Sequence, residues 1–149
     1  MSGRSITSWT VTINRPPSVV FDYLADITKH AEWSPKPYRV EGASGPIATG
    51  DRFTSIGSMP GDKNHRNDVT VTACSSPSRL VLDAEERGEH FISTFDLQAR
   101  ESGTLLTRTM DAPKPSGLLA IVFPLIMAVV IRPDVQKGLD NLKSILESN

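Results

Sequence analysis

From Tyr38 to Met110 the chain is a succession of short stretches in which apolar and polar residues alternate, each ended by glycine or proline. "YRVEGA" runs to Gly45-Pro46, "DRFTSIG" to Met59-Pro60-Gly61, "DVTVTAC" to Ser76-Pro77, "RLVLDA" to Gly88, "HFISTFDLQA" to Ser102-Gly103 and "TLLTRTM" to Pro113. A period of two marks a strand, and breaks of hairpin length make neighbouring strands antiparallel, so this is a six-stranded meander. "SWTVTIN", with Trp9, Val11 and Ile13 on one face, adds a strand at the front and brings the predicted count to seven. One long helical pattern is available to cover such a sheet: Val135, Leu139, Leu142, Ile145 and Leu146, at the C-terminus. A strongly curved sheet wrapped around that helix solves the burial problem and leaves interior space of the kind small ligands use.

The rest of the chain fits that scheme. After the first strand, Pro16-Pro17 suits a helix start with Ser18 as a cap, and "VVFDYLADITKHAEW" reads as two short helices. Val20, Phe21 and Leu24 form the stripe of the first, Asp26 caps the second, and Pro35 and Pro37 end it. A length of 149 residues suits one domain, taken as 1–149. Charged residues are 22% of the chain and the net charge is −1, which offers no broad basic surface to nucleic acid. The single cysteine, Cys74, excludes an internal disulfide and suits a reducing cytoplasm, and the N-terminus has no apolar stretch of signal-peptide type.

The order strand, two short helices, six strands, long C-terminal helix resembles the helix-grip fold of the START-like, Bet v 1-like (SRPBCC) superfamily, its polyketide cyclase/dehydrase-like branch in particular. The matching stretches are "INRPPSVVFDYLADITKHAEWSP", "GDRFTSIG", "SPSRLVLDA", "SGTLLTRTM" and "LDNLKSILE", spread over almost the whole chain. The resemblance implies an α+β domain with a hydrophobic cavity between the sheet and the C-terminal helix, suited to lipids, fatty acids, sterols or polyketides. It implies no fixed catalytic set, and Gly57-Ser58-Met59-Pro60-Gly61 departs from the glycine-rich loop of the plant allergen branch.

Strand parity then selects candidate ligand contacts. Leu106, Arg108 and Met110 share one face of their strand, and Phe91, Ser93, Phe95 and Leu97 share one face of theirs. With Phe53 and Val71 from the preceding strands, Phe91, Phe95, Leu106, Arg108 and Met110 are the expected sheet side of the cavity. Arg108 is then an inward cation, costly unless it meets an acidic or carbonyl group of the ligand or an internal carboxylate such as Asp111 or Asp68. The run 118–131 is apolar at every position and would reach only about 21 Å as a helix, too short to span a bilayer, while contact with a membrane surface stays open. It is expected to wall the cavity, with Leu118, Ile121, Val122 and Leu125 nearest the ligand, and to bend at Pro124 and Pro133.

His30, His65 and His90 match no metal spacing, so neither metal nor other cofactor is expected, and each is read as solvated or capping rather than catalytic. Cys74 has no evident activating partner, the charged "PGDKNHRND" reads as a hairpin loop, and Trp33 and Tyr38 read as packing at the junction around "SPKP" in preference to an aromatic rim at the cavity entrance. The expected function is binding of a hydrophobic or amphipathic small molecule by a monomer or dimer. Its rivals are a cyclase, aromatase or dehydrase that uses Arg108 to stabilise an enolate, and a protein-interaction module of co-chaperone or toxin–antitoxin type.

Overall fold

The fold rests on a computed structural model, which describes residues 3–59 and 61–148. Seven strands form one antiparallel sheet: β1 (Arg4–Ile13), β2 (Tyr38–Glu41), β3 (Arg52–Met59), β4 (Asp62–Ser75), β5 (Arg79–Glu86), β6 (Glu89–Arg100) and β7 (Gly103–Pro113). Their spatial order is β1-β7-β6-β5-β4-β3-β2, so every neighbour is a sequence neighbour except the pair of β1 with β7. Between β1 and β2 lie α1 (Pro17–Ala25), a 3-10 turn (Ile27–Lys29) and α2 (His30–Trp33). The chain ends in α3 (Leu118–Ile126), a π-helical stretch (Met127–Ile131) and α4 (Arg132–Glu147). This is the helix-grip arrangement.

The predicted strands are all present, with one boundary corrected. The charged segment read as a hairpin loop is the first half of β4, paired to β3 through Ile56↔Arg66 and Gly57↔His65. Its polar side chains carry no burial signal, yet the ladder needs only backbone groups. Of the turn residues expected there, Pro60 lies outside the described residues. Among the helices, Val20, Phe21 and Leu24 are buried, and Asp26 accepts the Thr28 amide at 3.2 Å as the predicted cap. The expected cap Ser18 is not used, because α1 begins at Pro17 with Pro16 before it.

The core lies where α4 meets β1 and the inner sheet face. Val135, Leu139, Leu142 and Leu146 are buried against a cluster that includes Trp9, Val11, Ile13, Leu80, Leu97 and Leu106. Gly138 lets α4 approach α2 closely: a Cβ there would stand 3.3 Å from Pro35 Cδ and 3.5 Å from the Trp33 ring. Asn141 Nδ2 donates to the Trp33 carbonyl at 3.2 Å, and Lys36 pairs with Asp134 at 2.8 Å, so α4 fixes the position of α2 and the chain after it.

The half of the helix before Arg132 behaves differently. Leu118, Ile121, Val122 and Leu125 are 84%, 75%, 45% and 66% exposed, and no residue of α3 or of the π-helical stretch is buried. The face turned toward the body carries half-buried Phe123, Ile126, Met127 and Ile131 instead. Stepping back by fours from Val135 along the α4 stripe reaches Ile131, Met127 and Phe123. The phase is therefore inherited from α4, since a segment apolar all round has none of its own. The π register sits between the two prolines. Pro133 cannot donate to the carbonyl four residues back, and the Arg132 amide bonds Met127, five back.

Candidate ligand pocket

A cavity of about 190 Å³ lies between the inner face of the sheet and the α2 region. Its floor is built by register. Arg108 on β7 stands opposite Phe95 on β6, Ser93 opposite Leu82 on β5, Phe91 opposite Ala84, and Ala84 opposite Val69 on β4, which faces Phe53 on β3. Each of these residues lines the cavity, together with Ser55, two positions along β3 from Phe53. The roof is His30 and Trp33 of α2, followed by Ser34, Pro35 and Tyr38. Phe91, 37% exposed, brings the cavity to the surface.

Of the residues expected to contact a ligand, the structure brings Phe53, Phe91, Phe95 and Arg108 together at this cavity. Val71 and Leu106 are fully buried in the core, and Met110 packs against it, half-buried; none of the three lines the cavity. They share the inward face, as parity requires, but other core side chains fill the space in front of them. Leu118, Ile121, Val122 and Leu125 do not line it either, because they point away from the body. The cavity is roofed by α2 and residues 34–38 rather than by the C-terminal helix.

Arg108 dominates the site. Its guanidinium lies 5.2 Å from the Phe95 ring centroid and 5.8 Å from that of Trp33, within cation–π range. Nε donates to Ser93 Oγ at 3.3 Å, and no ion pair with a carboxylate forms among the described residues. The two internal partners considered are elsewhere: Asp111 is held by Arg4 at 2.8 Å, and Asp68 is exposed on β4. Burial lowers the guanidinium to about 10, which still leaves it charged at neutral pH, and its remaining accessible surface faces the cavity. A cation with only one weak hydrogen bond and aromatic faces around it has donors to spare.

Tyr38 and His30 complete the polar end. Burial pushes the Tyr38 phenol up to about 12, so it stays a neutral donor, hydrogen-bonded with Ser55. His30, expected to be solvated or capping, is only 6% exposed, and its ring meets that of Trp33 at a tilt, with centroids 4.9 Å apart. Its Nε2 lies 2.8 Å from the Leu24 carbonyl, which can only accept, so Nε2 carries the proton and Nδ1 is the bare acceptor. Burial drives its pKa down to about 4, and the nearby Arg108 charge lowers it further against the raising effect of the Leu24 bond. The signals for Trp33 and Tyr38 as wall residues were weak, because an aromatic at a helix–strand junction packs equally well with or without a cavity behind it. The other two histidines are surface groups, His65 between Asp62 and Glu86 and His90 bonded to Asp83.

The buried neutral imidazole has a measurable consequence. The folded pKa of about 4 lies below the unfolded 6.5. Below 6.5 the unfolded chain therefore takes up a proton that the folded one refuses. Its contribution is complete above that value and is lost as the pH falls toward 4, by roughly 3 kcal/mol in all. Urea titrations of wild type and His30→Gln, which keeps a donor for the Leu24 carbonyl, should converge in slope above pH 6.5. Between pH 6.5 and 4 the wild type should lose stability more steeply. Parallel curves over that range would show that His30 is not held neutral.

The comparisons with known proteins agree with this fold. The structure matches protein CV1439 from Chromobacterium violaceum with a TM-score of 0.71 at 15% identity, covering 96% of this chain and 98% of that one. It matches protein MLL2253 from Mesorhizobium loti with a TM-score of 0.71 at 16% identity, covering 97% and 98%. DynU16, from the dynemicin biosynthetic locus, matches with a TM-score of 0.64 at 14% identity, covering 95% of this chain and 47% of that one. At such identities these likenesses speak for the fold alone. No curated protein matches the chain by sequence. The family model described as "Polyketide cyclase / dehydrase and lipid transport" matches residues 6–147, nearly the whole length, and the chain belongs to that family.

Proposed function

We propose that this protein binds a small acidic molecule with an aromatic or otherwise apolar body, held by Arg108 inside the α2-roofed cavity. The observation that carries this reading is the charge of Arg108 in an aromatic-walled space, with no ion pair to a carboxylate among the described residues. A carboxylate, phenolate or enolate would accept its free donors, and the Tyr38 hydroxyl adds a neutral one. Phe53, Phe91, Phe95, Val69 and Leu82 would enclose the apolar body. The volume of about 190 Å³ suits a ligand of one or two rings better than a sterol or a full-length acyl chain.

The pKa values favour binding over acid–base chemistry. A general base works best with a pKa near the working pH, whereas His30 is held at about 4 and Tyr38 at about 12. Arg108 and Tyr38 could stabilise an enolate formed elsewhere, which is what a cyclase or dehydrase role would ask of them. Exchange of the ligand α-carbon proton with solvent faster than in buffer would mark the enzymatic role, and exchange at the buffer rate the binding role.

The test uses an acid and its neutral isostere, 2-naphthoic acid and 2-naphthamide, titrated calorimetrically. The wild type should prefer the acid. Arg108→Met should weaken the acid about tenfold or more, as expected for a charge-assisted hydrogen bond worth roughly 1.5–3 kcal/mol, and leave the amide nearly unchanged. Equal weakening of both would make Arg108 a structural residue. If neither probe binds the wild type, a protein-interaction role for the fold gains ground.

A further inference from the structure

The helix Leu118–Glu147 is long and apolar enough to cross a membrane by length and composition, yet its second half cannot leave the fold. Val135, Leu139, Leu142 and Leu146 are buried in the core, and Asp134, Lys137, Asp140 and Lys143 interrupt the apolar surface. Only residues 118–131 are free, about 21 Å of helix against a hydrocarbon core of about 30 Å. This segment is also held at both ends. The Lys114 amide bonds the Gly3 carbonyl at 2.9 Å, four residues before α3 begins, and the other end continues into α4. It therefore lies along the body and cannot plunge end-on.

We infer that the outer face of residues 118–131 is a membrane-docking surface that lies in the plane of one leaflet of an anionic bilayer. Leu118, Ile121, Leu125 and Val129 stand 64–84% exposed. No side chain from Leu118 to Ile131 can donate or accept a hydrogen bond beyond the weak methionine sulfur. Only Phe123, Ile126, Met127 and Ile131 turn toward the body, so the apolar arc facing outward covers more than half of the helix circumference. A packed helix or sheet covers a stripe of roughly 100°, while lipid chains close around any shape. For an interfacial helix the burial depth is about 5–10 Å, which this arc can fill.

Charge decides between lipid and a second copy of the chain. At the two ends of the segment stand Lys114 on one side and Arg132 and Lys137 on the other, with no ion pair for any of them among the described residues. The neighbouring acids are already taken, Asp111 by Arg4 and Asp134 by Lys36. Two copies packed face to face, parallel or antiparallel, would set these cations against each other. Anionic headgroups would neutralise them, each basic residue near such a surface being worth about 1 kcal/mol. A protein interface also needs a polar rim and hydrogen bonds, which this face does not offer.

The test is flotation of the full chain with phosphatidylcholine vesicles and with vesicles in which phosphatidylglycerol makes up about a third of the lipid. The wild type should float with the anionic vesicles. Leu125→Asp should reduce the bound fraction at least about tenfold, from the cost of an aspartate in apolar lipid. Lys114→Glu/Lys137→Glu should erase the preference for anionic lipid. An environment-sensitive dye on Leu125→Cys, in a Cys74→Ser background, should shift to the blue on binding and be quenched by shallow rather than deep lipid quenchers. Arg108→Met should float like the wild type, which keeps this result separate from the pocket. The inference fails if the wild type binds no vesicle, or if sedimentation shows a dimer that Leu125→Asp dissolves and vesicles do not compete with. Deep quenching, showing a segment across the bilayer centre, would overturn it as well.

Discussion

Gly103→Ala is expected to abolish the cooperative thermal unfolding transition, although the change adds a single methyl group at a hairpin. Gly103 opens β7 at φ +146°, a backbone region that side-chain-bearing residues rarely adopt. A Cβ there would fall 2.1 Å from the Ile13 carbonyl oxygen and 2.9 Å from both the Arg15 nitrogen and the Asn14 Cα. All three are backbone atoms, so no rotamer can relieve the overlap. The same place joins β1 to β7 at Ile13↔Thr104, and the buried Thr104 hydroxyl donates to the Arg15 carbonyl at 2.7 Å. To make room, the chain must break the end of the one strand pairing that is not a hairpin. The combined cost of strain and lost packing is about 4 kcal/mol or more, a large share of the stability of a single domain. Near-ultraviolet circular dichroism and a calorimetric scan check it; a normal transition within a few degrees of wild type would show that the hairpin can move aside.

Leu142→Asp should be comparably destructive, whereas Leu125→Asp should not. Leu142 is fully buried where α4 meets β1. An aspartate there must either bury a charge or stay protonated without a partner, which costs several kcal/mol, of order 4–5. Leu125 is 66% exposed, and a carboxylate at that position stays in water, so its effect on stability should be within about 0.5 kcal/mol. Denaturant midpoints of the two variants separate core from non-core halves of one continuous helix. Two equal losses would mean that the outer half is packed against the body after all.

The contrast bears on what could be seen in the chain before its fold was known. Strand number, order and parity followed from alternation, because one face of each strand must be apolar; hence Arg108, Phe95 and Phe91 were placed on the inner face from spacing alone. What alternation cannot carry is depth. Val71 and Leu106 have the same inward parity as Phe53 and Phe95, and only the packing of the elements laid across the sheet decides which of them meet a cavity and which meet another side chain. The roof was harder still. His30, Trp33 and Tyr38 sit on a four-residue helix and a short strand, too brief for any period to show, and His30 reads as a surface residue until Leu24 is placed above it. The orientation of 118–131 was missed for the opposite reason: with every position apolar, nothing local distinguishes one side from another, and the phase comes from residues farther along.

The helix that closes the chain has one more effect, on the rim of the sheet. β1 is an edge strand, and such edges invite pairing with strands of other molecules. Here Lys143 donates its ammonium to the Thr12 carbonyl, and Glu147 accepts the Asn14 amide at 2.7 Å, while the two side chains pair with each other at 3.0 Å. An ion pair one turn apart on α4 thus occupies the backbone groups that a foreign strand would use. At this end of β1 the sheet can recruit no neighbour without first prising α4 from the core, so resistance to aggregation along that edge is tied to the stability of the domain itself.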